Sequence, residues 1–221
     1  MSRYLLGDDL LVAPFSSPGD ANGTATREVW IPPGEYQDAW TGTTTVGPKL
    51  VVATQPLGRI PLWHRKGGLL ITAPIAQTVD EQDWSELTLE IFPRAHRHKD
   101  PPQQRRVIRE GEPGEGTTVF YEETTDGRLS IQILPSKSTP ARAWLVRVNL
   151  EPDHALASAV VDGVLTSTDS LTVLAPVPLD QCADFFPLRG RGAAPASEAG
   201  DVVELQLTSA VGKRSVSMWL R

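Results

Sequence analysis

The first residues that could do chemistry are two adjacent carboxylates, Asp8 and Asp9, directly after Gly7. A pair of carboxylates can act as nucleophile and general acid in a hydrolytic reaction. Glycine and aspartate are also favoured turn residues, because glycine permits unusual backbone angles and the aspartate side chain bonds to nearby backbone. The apolar run from Leu10 to Val12, ended by Pro14, indicates a turn that leads into a buried strand. We therefore assign no catalytic residue to this pair.

Three further reactive side chains also favour structural roles. His64 has no triad partner at a recognisable spacing. The guanidinium fork of Arg65 could bind a ligand carboxylate, but an arginine in such a position more often anchors a loop or a neighbouring domain. Cys182 is the single cysteine, so no internal disulfide can form, and its apolar neighbours favour a buried, inert thiol.

A short acidic segment is the best candidate for a cation site. Glu122, Glu123 and Asp126 precede Gly127, and their oxygens could bind Ca²⁺. The full pattern of a cation-binding loop is missing, so we predict a hairpin turn of the Asp-Gly type, with both glutamates exposed. We predict no metal site and no cofactor.

Aromatic residues in the first third of the chain allow two interpretations. Trp30, Tyr36 and Trp63 are candidates for stacking on a sugar ring, and Trp40 belongs to the same set. The alternative is that these rings fill the core, where aromatic side chains contribute most to stability. We favour the core.

Alternation of apolar and polar residues dominates the rest of the chain. Leu87, Leu89 and Ile91 are typical, and four later segments repeat the pattern, while 19 prolines and 18 glycines interrupt any helical period. Many short alternating strands indicate an all-β protein made of antiparallel β-sandwich domains. The polar run from Gln77 to Asp83, ahead of a strand that opens at Glu86, indicates two domains in tandem. We place these domains at residues 1–78 and 79–221, with loops at 95–116 and 189–200.

The composition excludes two classes of partner. The formal net charge of −6 argues against nucleic acid, and we interpret the basic stretch from Arg94 to Arg109 as a solvated loop. No run of 18 apolar residues is present, so we expect no membrane span. No signal peptide is recognised, and the compartment is left open.

Three motifs in residues 4–74 carry a resemblance to a known family. They are the run that ends at Pro14, the turn at Gly34 that leads to Trp40 and Gly42, and the segment from Ile60 to Ile71. Their order and spacing closely resemble the region after the catalytic barrel of family 31 glycoside hydrolases, the α-glucosidase and α-xylosidase family. Residues 86–221 resemble the next domain more loosely. The matching motif positions are Gly7, Pro14, Pro33, Gly34, Trp40, Gly42, Pro61, Arg65 and Gly68.

The resemblance implies a proximal and a distal C-terminal β-sandwich domain, without the catalytic carboxylates. The expected partner is the catalytic (β/α)8 barrel of a retaining enzyme, which this chain would brace while being inactive alone; carbohydrate is a second candidate partner. We expect the face formed by Leu10, Leu11, Val12, Leu62 and Trp63 to pack partly on that barrel. We also expect Gly67 or Gly68 to have a positive φ or to lie against another main chain.

Two alternatives remain. The first is a stand-alone carbohydrate-binding β-sandwich, which needs a row of exposed rings drawn from Trp30, Trp40, Trp63 and Trp84. The second is an adhesion or interaction domain without sugar binding, which no motif supports.

Overall fold

The computed structural model describes residues 4–78, 80–94, 103–109, 115–137, 139–151, 154–166, 171–174, 202–210 and 212–220. These residues contain strands and turns and no helix, so the predicted all-β class is confirmed. None of the described segments forms a helix with the length and apolarity that a membrane crossing requires. The strands are β1 (Tyr4–Leu6), β2 (Leu10–Val12), β3 (Thr24–Asp38), β4 (Thr44–Pro56), β5 (Leu62–Arg65), β6 (Gly68–Thr72), β7 (Glu86–Phe92), β8 (Gln103–Arg109), β9 (Gly116–Glu123), β10 (Arg128–Leu134), β11 (Arg142–Asn149), β12 (Leu156–Val161), β13 (Val164–Thr166), β14 (Thr172–Leu174), β15 (Val202–Ala210) and β16 (Arg214–Leu220).

The chain divides into two compact units. The described part of the first unit is residues 4–68, and the second contains Leu69–Leu174 and Asp201–Arg221. The domain limit that we predicted between residues 78 and 79 stays a prediction.

The first unit is built on one five-stranded sheet in the order β1-β2-β5-β3-β4. All of its neighbouring strands are antiparallel. β3 and β4 form a long hairpin whose register shifts between Ile31 and Gly34. A small core of buried residues lies on one side of this sheet: Leu11, Ala13, Val29, Ile31, Tyr36, Ala53 and Trp63.

The face expected to pack on a barrel is one feature that the structure corrects. Leu10, Leu11, Val12 and Trp63 are buried, and Leu62 is half-buried. Leu11 and Trp63 belong to the small core. These side chains therefore do not form an exposed apolar surface of this chain.

The second unit is a sandwich of two sheets. One has the order β13-β12-β16-β10-β9-β8, and the other has the order β14-β15-β11-β7-β6. The alternating residues of β7, β10, β11, β15 and β16 point into one shared core, as their two-residue period predicted. β7 and β11 depart from the antiparallel pattern, since they run parallel, with Leu87 opposite Trp144.

The basic stretch was partly misassigned. Residues 103–109 were interpreted as a loop, but they form β8, which pairs with β9 from Gln103 to Arg109. Cys182 and the predicted loop at 189–200 lie outside the described residues.

Candidate functional site

A group of polar residues around the motif residue Arg65 lies where β2 begins and where β3 and β5 approach their ends. Arg65 donates its backbone N–H to the carbonyl of Asp9 at 2.7 Å, and Lys66 donates to the carbonyl of Glu35 at 2.8 Å. Tyr36 lies opposite Arg65 across the β3–β5 pair. We call the resulting group the polar cluster: Asp9, Glu35, Tyr36, His64, Arg65 and Lys66.

The polar cluster is largely closed to water. Lys66 is 2% exposed, His64 5% and Asp9 6%. Charged groups are buried at this level only when they are paired, because removing a charge from water is costly, and Asp9, His64 and Lys66 each have a partner. A substrate could not reach these groups without displacing that packing.

Electrostatics within the polar cluster favour a neutral tyrosine. Burial, the largest effect, raises the pKa of Tyr36 above its usual 10.0; the Arg65 charge lowers this pKa and the Asp9 charge raises it. The phenol therefore stays protonated at neutral pH. Asp8 is exposed while Asp9 is buried, so the two neighbouring carboxylates do not face one open site. The described residues contain no group of three or more His, Cys, Asp or Glu side chains that could hold a metal ion.

Two glycines close the turn beside the polar cluster. Gly67 has a φ of +77°, in the left-handed region that side chains disfavour. At Gly68, an added Cβ would lie 2.7 Å from Cγ of Asp9 and 2.8 Å from the Arg65 carbonyl oxygen. The expectation for this pair is confirmed for both residues: one needs its backbone angle and the other its lack of a side chain.

A second turn holds the Trp40 motif. The Asp38 side chain accepts hydrogen bonds from the backbone N–H groups of Trp40 at 2.7 Å and Thr41 at 2.9 Å. The Trp40 indole donates to the carbonyl of Ile60 at 2.7 Å, and the Arg59 guanidinium lies 4.9 Å from the Trp40 ring centre. This turn therefore ties the end of β3 to the chain that enters β5.

The remaining motif residues lie in turns, at the register shift of β3, or where their backbone carbonyls accept hydrogen bonds. Gly7 has a φ of +65° in the turn between β1 and β2. The Pro14 carbonyl accepts a hydrogen bond from the Arg27 side chain, and the Pro61 carbonyl accepts one from Ala13 at 3.0 Å. Pro33 and Gly34 lie at the register shift of β3, and Gly42 accepts a hydrogen bond from the Gln37 amide at 3.0 Å.

The candidate sugar-contacting residues divide by exposure. Tyr36, Trp40 and Trp63 are buried at 3–5% exposure, whereas Trp30 is 38% exposed. Trp84, at 47%, belongs to the second unit. Of these rings, one in each unit is accessible, so the row required of a stand-alone sugar-binding module is not formed within either unit.

The acidic segment of the second unit differs from its predicted form. Glu122 and Glu123 lie on β9 rather than in the turn, and Glu123 is buried at 8% exposure, so the predicted exposure of these glutamates is wrong. The Tyr121 hydroxyl donates to the Glu123 carboxylate. The signal was available in the sequence, because the two-residue period that turns Val119 and Tyr121 inward turns Glu123 inward as well.

Comparisons with known proteins agree on one family. Residues 1–70 match the model of the glycosyl hydrolase family 31 C-terminal domain. A 1,3-α-isomaltosidase from Kribbella flavida is 40% identical over 63 residues, which are 28% of this chain and 8% of that protein. An α-xylosidase from Saccharolobus solfataricus is 28% identical over 92 residues, which are 41% of this chain and 12% of that protein.

A structural relative extends the likeness of fold to nearly the whole chain. The family 31 dextranase from Flavobacterium johnsoniae matches with a TM-score of 0.66 and 18% identity over 98% of this chain. The chain spans 26% of that dextranase, and its matched segments are 8% and 12% of the two curated relatives.

Proposed function

We propose that this chain, whose residues 1–70 are a C-terminal domain of glycosyl hydrolase family 31, serves as the accessory C-terminal region of an α-glycosidase. In this role it braces the catalytic (β/α)8 barrel and supplies no catalytic residue. The parent enzyme hydrolyses terminal α-linked sugars by a retaining mechanism, in which one carboxylate is the nucleophile and the other is the acid and base. Both carboxylates come from the barrel.

Strand β1 carries this proposal. Tyr4, Leu5 and Leu6 are 53%, 49% and 60% exposed, although all three are apolar or aromatic. Successive side chains of a strand point to opposite faces, so both faces of β1 are open to water. Continuous apolar runs are typical of strands that are covered on both faces. We infer that β1 is the surface that meets the barrel.

The polar cluster and the Asp38 turn support the bracing role. Backbone hydrogen bonds and buried charges join the start of β2 to the ends of β5 and β3, and β2 is the neighbour of β1 in the sheet. Groups that paired strands carry are positioned more precisely than groups on loops. We accordingly assign structural roles to the motif residues from Gly7 to Gly68.

Activity assays test the absence of catalysis. Purified chain should not hydrolyse 4-nitrophenyl α-glucoside or α-xyloside above a buffer blank. Hydrolysis that survives purification and disappears in Asp8→Asn or Asp9→Asn would overturn the assignment.

A dye-binding experiment tests the docking surface. The chain should bind a hydrophobic dye and self-associate at micromolar concentration, since a large exposed apolar patch marks a missing partner. Leu5→Ser with Leu6→Ser should reduce both signals. The matched control, Val164→Ser with Leu165→Ser, removes two residues that are 69% and 72% exposed on another edge strand and should not. A monomer that binds no dye, or equal effects of the two variants, would contradict the role of β1.

A further inference from the structure

The outward side of the β3–β4 hairpin is a second surface with unusual chemistry. Direct cross-strand partners share a face of the sheet, and three such pairs follow one another here. We call them the hairpin face: Thr26 opposite Thr54, Glu28 opposite Val52, and Trp30 opposite Leu50.

Trp30 is the main feature of this face. Its side chain is exposed just before the register shift of β3, whereas Tyr36, beyond that shift, is buried. Leu50 and Val52, at 46% and 66% exposure, lie beside it and form an apolar floor. A large ring held by a paired strand is preorganised, because the backbone beneath it does not need to be ordered on binding.

Polar groups accompany the ring at regular steps. Glu28 is exposed and lies two residues from Trp30, a separation of about 7 Å along a strand. Two residues further, the Thr26 and Thr54 hydroxyls are hydrogen-bonded to each other at 2.9 Å. The face thus presents an aromatic surface, then a carboxylate, then a pair of hydroxyls, in one line.

We propose that the hairpin face binds a neutral oligosaccharide of pyranose units. The C–H face of one ring stacks on the Trp30 indole, and hydroxyls of the same and the next ring donate to the Glu28 carboxylate and bond to the threonine pair. Charge excludes nucleic acid, since a carboxylate on a chain of net charge −6 repels phosphates. Trp30, Leu50 and Val52 form a small apolar area beside a carboxylate and two hydroxyls, and ligand sites for small molecules combine an apolar lining with a few polar groups in this way.

This site is independent of the proposed docking on a barrel. β1 and β4 are the two opposite edges of the same five-stranded sheet. Failure of the chain to bind sugar would therefore not contradict the proposal for β1. Failure to bind the hydrophobic dye through β1 would likewise not contradict sugar binding by the hairpin face.

Affinity electrophoresis of the full chain tests the site. Native gels that contain soluble starch or dextran should retard the chain relative to gels without polysaccharide. Trp30→Ala should weaken the retention about tenfold, as expected for the loss of one well-placed contact. Trp84→Ala is the matched control, because it removes an exposed tryptophan of the other unit, and it should migrate like the wild type.

Two conservative variants separate stacking from a loss of folding. Trp30→Phe keeps a ring and should retain part of the binding, while Glu28→Gln should weaken it without changing the melting temperature. Absence of retardation of the wild type by both polysaccharides, or equal retention of Trp30→Ala and the wild type, would overturn the proposal. Equal losses in Trp30→Ala and Trp84→Ala would also overturn it.

Discussion

The Tyr121 hydroxyl donates a hydrogen bond of 2.5 Å to the carboxylate of Glu123, and both residues are buried. The same carboxylate accepts the backbone N–H of Arg94 at 3.3 Å. Burial, then the negative charge of Glu123 and the hydrogen bond to it, raise the pKa of Tyr121 well above 10.0. The hydrogen bond between Arg94 and Glu123 joins the end of β9 to the segment that follows β7. Polar groups therefore contribute to the stability of the second unit.

We expect Glu123→Ala to lower the free energy of unfolding by about 2–3 kcal/mol. The substitution leaves the hydroxyl of Tyr121 and the N–H of Arg94 without their acceptor, and a buried unsatisfied donor has a cost of this order. Glu122→Ala, on the outward side of the same strand, should stay within about 0.5 kcal/mol. Urea unfolding of both variants measures the difference. Equal losses of unfolding free energy in the two variants would show that the buried carboxylate of Glu123 contributes no more to stability than that of Glu122.

Alkaline pH should destabilise the second unit through Tyr121. The folded-state pKa of this group is raised above its unfolded value of 10.0. Its contribution is therefore fully present below pH 10 and is lost as the pH rises towards the folded pKa, because the unfolded chain releases the proton first. Tyr121→Phe should be less stable than the wild type at neutral pH, and its stability should fall less above pH 10. Parallel pH profiles for the two proteins would contradict this account.

Gly68→Ala should destabilise the first unit by about 1–3 kcal/mol. The added methyl would meet the Asp9 side chain and the Arg65 carbonyl below normal contact distance, and overpacking has costs in this range. Gly58→Ala is the matched control, because no atom lies within 4 Å of its added Cβ and its φ is not positive. Thermal melts should show a lower melting temperature for Gly68→Ala only. A similar shift for Gly58→Ala would mean that a general loss of glycine flexibility is responsible.

Two substitutions of Asp38 separate the effect of its hydrogen bonds on stability from the effect of its charge. Asp38→Ala removes the acceptor of two backbone N–H groups, and we expect a loss of about 1–2 kcal/mol. Asp38→Asn keeps an acceptor oxygen and should cost little.

The charge of Asp38 gives this comparison a pH dependence. Burial, opposed by the hydrogen bonds of Thr41 and Trp40, raises the Asp38 pKa above its ordinary 3.8. The stabilising effect of protonation is full below pH 3.8 and is lost as the pH rises through the folded pKa. Asp38→Asn should therefore gain relative to the wild type between acid and neutral pH. A relative loss over that interval would show that ionisation of Asp38 stabilises the fold.

Local patterns predicted much of this structure, and the exceptions have physical causes. The two-residue period identified the inward residues of β7, β10 and β11, because burial of one face of a strand requires every second residue to be apolar. The expectation for Gly67 and Gly68 rests instead on the family resemblance, and the positive φ of Gly67 and the close approach at Gly68 agree with it.

The orientation of the aromatic residues could not be predicted in this way. Trp30 and Tyr36 are both even-numbered residues of β3, yet the first points outward and the second is buried. The register shift between Ile31 and Gly34 separates them, and an irregularity of this kind exchanges the two faces of a strand. The prolines there predicted a tight turn between two strands, and this is wrong, because β3 continues through them as one strand with a register shift.

The pairing of β7 with β11 joins two strands that are synthesised at different times. Leu87 emerges from the ribosome long before Trp144, its partner in the sheet, since synthesis adds about 5–20 residues per second. Until β11 has been synthesised, the edge of β7 that pairs with β11 has no partner. Contacts between residues far apart in the sequence also form slowly. The nascent second unit therefore carries an unpaired strand edge during synthesis, and such edges are prone to aggregation.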